Sequence, residues 1–484
     1  MSISSALSNA LSGLTATSRN AQVVSANLAN VLTPGYAPRV LEQSGQGEFR
    51  SGGVTIQGVT RNVDHGLLSD RRMADANLAF SGIKAEFLAD LERLTGTPDE
   101  PAALSGQFSA FEASLVTAAA KPEEESRLQA AVLQAGELAE ALSDMSRQIQ
   151  SLRTEAEAKI DQTVTNLNTY LGQIQSLNAQ IVEANNAGHP SASFEDQRRL
   201  VIDQLAEFVP VRLALRDSGE VAIYTQGGAT LLDGRPAEFE FSPRNVIMPH
   251  MTLDNGLLGG LSINGTVVPP SGGSSPIDGG KLAGLFELRD SLATDAQTQL
   301  DAIARDLIER FQDPALDTTR AVGDAGLFTD AGSAFDPLDE VGIAWRISVS
   351  ALVDPDQGGD LWRLRDGLGA AAPGPAGDAT LLQDLLAALE TPVALASGDL
   401  GATERSSADH VSALISRFGQ QRLSLDQSVA FATAHQAGLV EIELSMGVDT
   451  DAEMQKLLLI EQAYSANARM IEVAEEMMDA LLRI

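Results

Sequence analysis

The residue types that most often carry chemistry are few in this chain and poorly placed for it. The five histidines, His65, His189, His250, His410 and His435, are scattered, and no two stand one helical turn apart as a zinc-binding pair would. There is no cysteine, which excludes disulfides, thiolate metal sites and a cysteine nucleophile. No Gly-x-Ser-x-Gly elbow is present. Gly367-Leu368-Gly369-Ala370-Ala371-Ala372 has the spacing of a dinucleotide fingerprint. Pro373-Gly374-Pro375 follows at once and blocks the helix that must receive a pyrophosphate. Gly279-Gly280-Lys281 lacks the first glycine of a phosphate loop and continues with Leu282 instead of Ser or Thr. Asp449-Thr450-Asp451 with Glu453 lacks the glycine turn of a calcium loop; these carboxylates suit the positive end of a helix. The reading is of a chain with no catalytic residue, no metal site and no cofactor.

What the sequence does carry is pattern. Near the start, Leu7, Leu11, Leu14, Ala21, Leu28 and Leu32 recur at three- and four-residue steps; near the end, Leu457, Ile460, Tyr464, Ile471, Ala474, Met478 and Leu481 do the same. Both are narrow apolar seams of the kind two helices use to pair. Helices of this length are marginal alone in water, so each end needs the other, or copies of it in a neighbouring subunit. Arg19 is the only charged residue from Met1 to Tyr36, whereas a solvated helix normally carries charge on its outer face. The arm closes on Thr33-Pro34-Gly35-Tyr36, which reads as a type II turn.

Composition narrows the classes further. The 484 residues allow about three domains. A net charge of −33, from 66 acidic and 33 basic residues, argues against nucleic acid and anionic membrane surfaces. No stretch approaches the ~20 apolar residues of a membrane span, and the N-terminus lacks the basic and apolar segments of a cleaved signal peptide.

Ala26-Asn27-Leu28-Ala29-Asn30, two residues, then Thr33-Pro34-Gly35-Tyr36 resembles the N-terminal signature of bacterial flagellar axial proteins, the rod, hook and hook-associated proteins. Gly447-Val448-Asp449 to Glu453-Met454, Glu461-Gln462-Ala463-Tyr464-Ser465-Ala466-Asn467-Ala468-Arg469 and Met477-Met478-Asp479-Ala480-Leu481-Leu482 resemble the matching tail. Leu32 departs from the pattern, where the family more often has Asn. The run Gly53-Val54, Gly58-Val59, Arg61 and Asp64 is similar to the segment after the family's arm. The resemblance implies that the two ends form a coaxial helical pair lining an axial tube. It also implies export through a dedicated channel without a cleaved signal, and an extracellular place in the flagellum. The implied assembly and motif residues are Leu7, Leu11, Leu14, Asn27, Leu28, Asn30, Pro34, Gly35, Tyr36, Leu457, Ile460, Tyr464, Asn467, Ile471, Met478 and Leu481.

Between the ends the chain reads as cargo. Residues 37–70 carry short strands, with period-2 alternation at Val54-Thr55-Ile56-Gln57. From about Arg71 the pattern is helical. Phe80, Ile83, Phe87, Leu91 and Leu94 mark one helix up to Thr97-Pro98, and Phe108, Phe111 and Leu115 a second. Lys121-Pro122-Glu123-Glu124-Glu125 opens a third, with Pro in its first turn. Its seam runs from Leu128 to Ile181 and stops at Ala187-Gly188-His189-Pro190, a rod of roughly 95–100 Å. Rod and hook proteins place mainly β domains here; the hook-associated members place long helices. Phe194-Glu195-Asp196-Gln197-Arg198-Arg199-Leu200 and Gly279-Gly280-Lys281-Leu282-Ala283-Gly284-Leu285 are similar to that branch. Residues 208–280 read as β, with Asp217-Ser218-Gly219 a turn and Asn264-Gly265 a hairpin signal. Val341 to Val349 reads as the clearest strand, and Gly369 to Gly377 as a loop.

The expected architecture is mainly α with β insertions: paired terminal coiled-coil helices, a long antiparallel helical rod and one or two outward β-rich domains. The expected boundaries are 1–36 with 441–484 for the inner tube and 37–207, 281–319 and 401–440 for the rod, with a short β segment at 37–70. Residues 208–280 form a β-rich segment and 320–400 a mixed outer domain. The implied role is a structural subunit joining hook to filament as a homo-oligomeric ring. The implied partners are copies of itself, the hook protein, the next junction protein, a cytoplasmic export chaperone on the tail and the export apparatus. A hook or distal rod protein is the alternative within the family. An enzyme or glycan-binding module is the competing class, and a pocket of converging polar groups in 208–280 or 320–400 is what would distinguish it.

Overall fold

In the computed structural model the described residues are 3–45, 52–96, 100, 102–273 and 275–482. The chain opens with α1 (Ile3–Ala29). A hairpin of β1 (Arg39–Gly45) and β2 (Val54–Arg61) follows. Its register runs from Arg39 opposite Arg61 to Gly45 opposite Val54, with a bulge at Glu42/Gln43. The Asp64 carboxylate then caps α2 (His65–Thr95), accepting the Gly66 and Leu67 N–H groups. The turn at Thr97-Pro98 lies outside the described residues.

After α3 (Leu104–Ala120) comes the long helix α4 (Glu125–Asn186), 62 residues or about 93 Å. It starts three residues later than the Pro122 signal implied, because Lys121–Glu124 form a turn of their own closed by the Glu124 N–H to Lys121 carbonyl bond. It stops where expected. Gly188 takes φ 67°, and the His189 N–H reaches back to the Ala184 carbonyl at 2.8 Å, a Schellman-type ending that a left-handed glycine makes inexpensive. Next is α5 (Ala192–Phe208).

The region 208–280 is a pair of small antiparallel sheets. The first orders β3 (Val211–Leu215), β4 (Val221–Thr225), β5 (Thr230–Asp233) and β6 (Arg235–Pro236). The second orders β7 (Phe239–Glu240), β8 (Leu261–Ile263) and β9 (Thr266–Val268). The β8–β9 turn places Asn264 at φ 52° and Gly265 at φ 73°, the two left-handed positions of a type I′ hairpin. The return helix is α6 (Gly280–Glu287), a π turn at Leu288–Leu292 and α7 (Ala293–Gln312). Then come β10 (Phe328–Asp330), α8 (Ile343–Arg346), β11 (Ile347–Val349), α9 (Trp362–Asp366) and α10 (Thr380–Glu390). The long helices α11 (Ser407–Ser445) and α12 (Thr450–Leu482) close the chain. The fold is mainly α with β insertions.

The strand read at Val341–Val349 is a strand only from Ile347. Gly342 sits in the left-handed region at φ 79°. The buried Asp301 carboxylate accepts the Gly342 and Ala344 N–H groups at 2.8 and 3.0 Å. That cap starts a helical turn that buries Ile343, and Ile347, the first residue of β11, is buried just after it. A tertiary cap has overridden β-branched propensity.

Two apolar clusters run along α4. Its N-terminal half packs Leu128, Leu138 and Leu142 against α2, α3 and α7 through Phe87, Phe111 and Phe311. Phe328, Ile343, Leu364 and Leu382 belong to the same cluster, so residues 320–400 share the rod's core, to which they add the short helices α8, α9 and α10 and the two-stranded β10–β11 sheet. The C-terminal half of α4 packs Ile160, Leu167 and Ile174 against α5, α6 and the four-stranded sheet. Neither cluster includes a residue of α1 or α12.

Candidate assembly surface at the paired termini

The two ends find each other within one chain. Among the described residues no pair of elements touches more extensively than α1 and α12, which run antiparallel, with Gly13 beside Asn467 and Asn27 beside Glu453. Gly13 makes the close approach possible: a Cβ there would lie 2.8 Å from Asn467 Nδ2. The face that α1 buries is small, namely Ala10, Ala16, Val23, Val24 and Asn27; α12 buries Glu453, Ile460 and Ala474.

Leu7, Leu14 and Leu28 are half-buried in the pair, as are Leu457, Asn467 and Ile471. Leu11, Leu32, Tyr464, Met478 and Leu481 are exposed in the single chain, Leu32 at 91%. The structure therefore brings Ile460 and Ala474 into the buried face of the pair, holds Leu7, Leu14, Ala21, Leu28, Leu457, Asn467 and Ile471 at its edge, and leaves Leu11, Leu32, Tyr464, Met478 and Leu481 facing outward.

Asn27 is the polar centre of this surface and is 1% exposed. Its Oδ1 accepts the Arg39 N–H at 2.9 Å and the Tyr36 hydroxyl at 2.8 Å. Its Nδ2 donates to the Arg39 carbonyl at 2.9 Å and to Glu453 Oε2 at 3.2 Å. One amide thus ties α1 to the chain after the turn and to the first turn of α12. All of its groups are buried and matched, the condition under which a buried polar network specifies one arrangement. Lys456 Nζ holds the other Glu453 oxygen at 2.6 Å. Asn30 has a local role, donating to the Ala26 carbonyl at 2.8 Å.

The Pro34-Gly35 turn behaves as its residues dictate. The Tyr36 N–H donates to the Thr33 carbonyl at 3.2 Å and Gly35 takes φ 74°, as a type II turn requires. A side chain there would also strike Leu200, whose Cγ lies 2.6 Å from the Cβ position. Tyr36 lies beneath the Arg39 guanidinium, 5.0 Å from the ring centroid. Burial raises its pKa, while Arg39 opposes the rise.

Where the terminal pair meets the rod, charge replaces apolar packing. Asp196 on α5 receives Arg61 at 2.7 Å and Arg39 at 3.4 Å. On α2, Arg71 reaches Asp75, Asp203 and Glu443 at 2.7–2.8 Å, and Arg72 reaches Asp203 at 2.6 Å. Arg199 also pairs with Glu443. The network clasps α2, α5 and the end of α11. Burial pulls the Arg72 and Arg199 pKa values down, and Asp203 holds against it in both cases. Sequence reasoning missed this cluster, because it joins positions over 350 residues apart in the chain, and its local pairs, Arg71–Asp75 and Arg199–Asp203 at i,i+4, look like ordinary helix-surface pairs. Beside it opens a cleft of about 1000 Å³, between α1, β2, the start of α2, α5 and β3.

The sites weighed for chemistry are structural. Gly280 begins α6, where a Cβ would meet the Phe208 carbonyl oxygen at 2.6 Å, and Lys281 lies over the Phe208 ring. Asp449 caps α12, accepting the Asp451 and Ala452 N–H groups. After α9, the Gly367–Gly377 stretch is irregular and the next helix begins at Thr380. Among the described residues, no group of three or more His, Cys, Asp or Glu side chains could hold a metal ion, and no helix is long and apolar enough to cross a membrane.

Three family models match the chain. "Flagellar hook-associated protein FlgK helical domain" covers residues 88–326, "Flagella basal body rod protein" 7–36, and "Flagellar basal body rod FlgEFG protein C-terminal" 444–484. The flagellar hook-associated protein 1 of Bacillus subtilis (strain 168) is 24% identical over 496 residues, covering 94% of this chain and 93% of the relative. That of Escherichia coli (strain K12) is 23% identical over 556 residues and the full length of both. The flagellar hook junction protein FlgK of Burkholderia pseudomallei aligns with 55% of this chain and 47% of its own at 21% identity and a TM-score of 0.45, too distant to add weight. With axial-protein models on both terminal helices and the helical-domain model between them, the chain belongs to the flagellar hook-associated protein 1 family.

Proposed function

We propose that the chain is the structural subunit that joins the flagellar hook to the filament, working mechanically and without catalysis. The observation that carries this is the order of the matches: axial-protein termini enclosing the hook-associated helical domain. The structure supports a division of labour along the same line. Residues 1–36 and 441–484 form the inner wall of an axial tube; 37–207, 281–319 and 401–440 form the rod around it; 208–280 and 320–400 form outer lobes that share the rod's core. Copies repeat as a ring or short helix through heterologous contacts. The outward-facing Leu11, Leu32, Met478 and Leu481 are the surfaces those copies and the neighbouring hook and junction proteins cover. The chain leaves the cell through the flagellar export apparatus, held beforehand by a chaperone on its tail.

A hook or distal rod protein is the second reading. The uninterrupted 62-residue helix after the arm favours the junction role over it. The test is complementation. Expressed in a bacterium whose own junction protein is deleted, the chain should restore filaments on otherwise bare hooks, as seen by electron microscopy. Restoration of hooks in a hook-deleted strain, with no effect on the junction-deleted one, would overturn the assignment.

A further inference from the structure

The cleft beside the charged clasp is unusual for so acidic a chain. Arg39, Arg61, Arg72 and Arg199 line it and are met by carboxylates of α5 and α11. Three further arginines on its wall are not. Arg198 is 5% exposed, and its Nη1 donates only to neutral oxygens, Asn178 Oδ1 at 2.7 Å and the Gly219 carbonyl at 2.8 Å. Arg19 reaches Gln22 Oε1. Arg212 stands exposed on β3. Among the described residues, none of the three has a carboxylate within 4 Å. Glu195 and Glu220 act on Arg198 only from beyond ion-pair distance; a buried guanidinium with no direct counter-ion is costly, and an arriving anion relieves it. Between the cations the wall is apolar, with Leu213 and the exposed Leu215. An inorganic anion would satisfy the cations alone. The lining as a whole calls for carboxylates and aliphatic groups on one surface.

The chain carries such a surface. On the last turns of α12, Met470, Val473, Met477 and Leu481 are exposed at three- and four-residue steps, and Glu472, Glu476 and Asp479 are exposed among them. The α1 helix covers only the Ile471–Ala474 side. The two patches cannot meet within one molecule. The pairing sets the end of α12 beside the first turns of α1, whereas Arg19 to Ala26 of α1 line the cleft, roughly 20 Å further along the helix. Complementary patches at different places on one molecule make head-to-tail contacts, which repeat into rings or helices.

We propose that the cleft receives the last turns of α12, Met470 to Leu482, of a second copy of this chain, with Arg19, Arg198 and Arg212 taking its carboxylates. The inference rests on the reading of the chain as a repeating subunit and adds to it a specific contact.

Because the chain has no cysteine, engineered pairs report without background. A full-length Leu215→Cys chain is mixed with a full-length Met477→Cys chain under mild oxidation. The expected product is a mixed 215–477 disulfide dimer in excess over both same-site dimers. Adding Arg212→Glu to the first chain should lower its yield at least several-fold, and Glu476→Arg in the second should restore it. Unchanged melting of each variant establishes that the fold is intact. No mixed dimer at the highest soluble concentration, same-site dimers in excess, or a yield indifferent to Arg212→Glu would each overturn the contact. A chain that restores filaments in cells but forms no mixed dimer overturns this contact and leaves the junction role standing. A chain that forms the dimer but restores no filaments does the reverse.

Discussion

Replacing Asn27 by Asp keeps the shape of the buried hub and changes only its chemistry. The carboxylate still accepts from the Arg39 N–H and the Tyr36 hydroxyl, but it has nothing to donate. Two acceptors, the Arg39 carbonyl and Glu453 Oε2, lose their donor, and the second now faces another carboxylate about 3 Å away. Leaving a buried acceptor unmatched costs about 1–3 kcal/mol, and more when it is charged, so about 3–5 kcal/mol is lost at neutral pH. Against this stands what holds α1 in place. Its fully buried apolar side chains are two alanines and two valines, whose burial contributes about 5 kcal/mol before ordering costs are subtracted. The penalty is therefore large enough to undock α1 from α12. Neither apolar cluster of the rod includes a residue of these helices, so the rod should not notice. The assay is native-state hydrogen exchange of the purified monomer alongside its melting curve. Amides of α1 and α12 should lose protection while the main thermal transition stays where it is. Asn30→Asp, a half-buried residue with local bonds only, serves as control and should keep protection. If α1 stays protected in Asn27→Asp, or the main transition falls with it, the hub is not what docks the ends.

Leu457→Asp and Ile471→Asp, half-buried on the same seam, should likewise spare the rod's melting temperature yet leave cells with bare hooks and filament subunits shed into the medium; a change at the exposed Glu472 should be mild. Normal filaments on Leu457→Asp cells would count against the seam as an assembly surface. A fragment spanning residues 65–445 retains both apolar clusters and should melt cooperatively on its own, as circular dichroism would report; a gradual, uncooperative melt would show that the core leans on the ends. Burial raises Asp301 from its ordinary 3.8 to about 6 against the pull of its N–H donors. The folded chain therefore holds that proton more tightly than the unfolded one, and the contribution is fully present below about 3.8 and lost as pH rises through about 6, about 3 kcal/mol in all. The stability gap between wild type and Asp301→Asn, from chemical denaturation, should shrink by up to that amount from pH 4 to pH 7; a constant gap refutes it.

The parts of this fold that could be read from the sequence are those where one local rule acts for a long way. The seam from Leu128 to Ile181 keeps one period for the whole of α4, and Gly188-His189 ends it by a cap that only glycine makes inexpensive. Asn264-Gly265 was equally plain, since both left-handed positions carry the residues that tolerate them. Reading failed where a distant group decides. Asp301 lies 41 residues before the Gly342 it caps, and nothing between Val341 and Val349 announces that a carboxylate will start a helix there. The terminal seam was legible as a period and less so as a face. Leu11 and Leu32 match the spacing yet point outward, while the smaller Ala16, Val23 and Val24 make the contact. Close helix pairing selects small residues, and a reading weighted by leucine shifts the stripe around the helix. Asn27 could be singled out only through the family motif, because its four bonds reach Tyr36, both backbone groups of Arg39 and Glu453.

Half-satisfied termini are what an assembling subunit requires. A pair of ends buried on every side would leave no surface for a neighbour, and ends with no partner at all would present a long apolar patch before assembly. The Asn27 hub resolves the conflict by making the intramolecular pair depend on polar bonds and a few small side chains. That leaves Leu11, Leu32, Met477 and Leu481 exposed, open to the contacts between copies proposed above. The near absence of charge on α1 fits the same logic, since a helix covered from several directions gains nothing from a charged outer face and would have to desolvate it. The charged clasp at Arg71, Asp203 and Glu443 then supplies the opposite property. Ion pairs between partly exposed groups tolerate small changes of geometry better than interlocked apolar packing does. The clasp sits at the end of α11, just before α12 begins, where a tolerant joint between rod and terminal pair suits the proposed role between hook and filament.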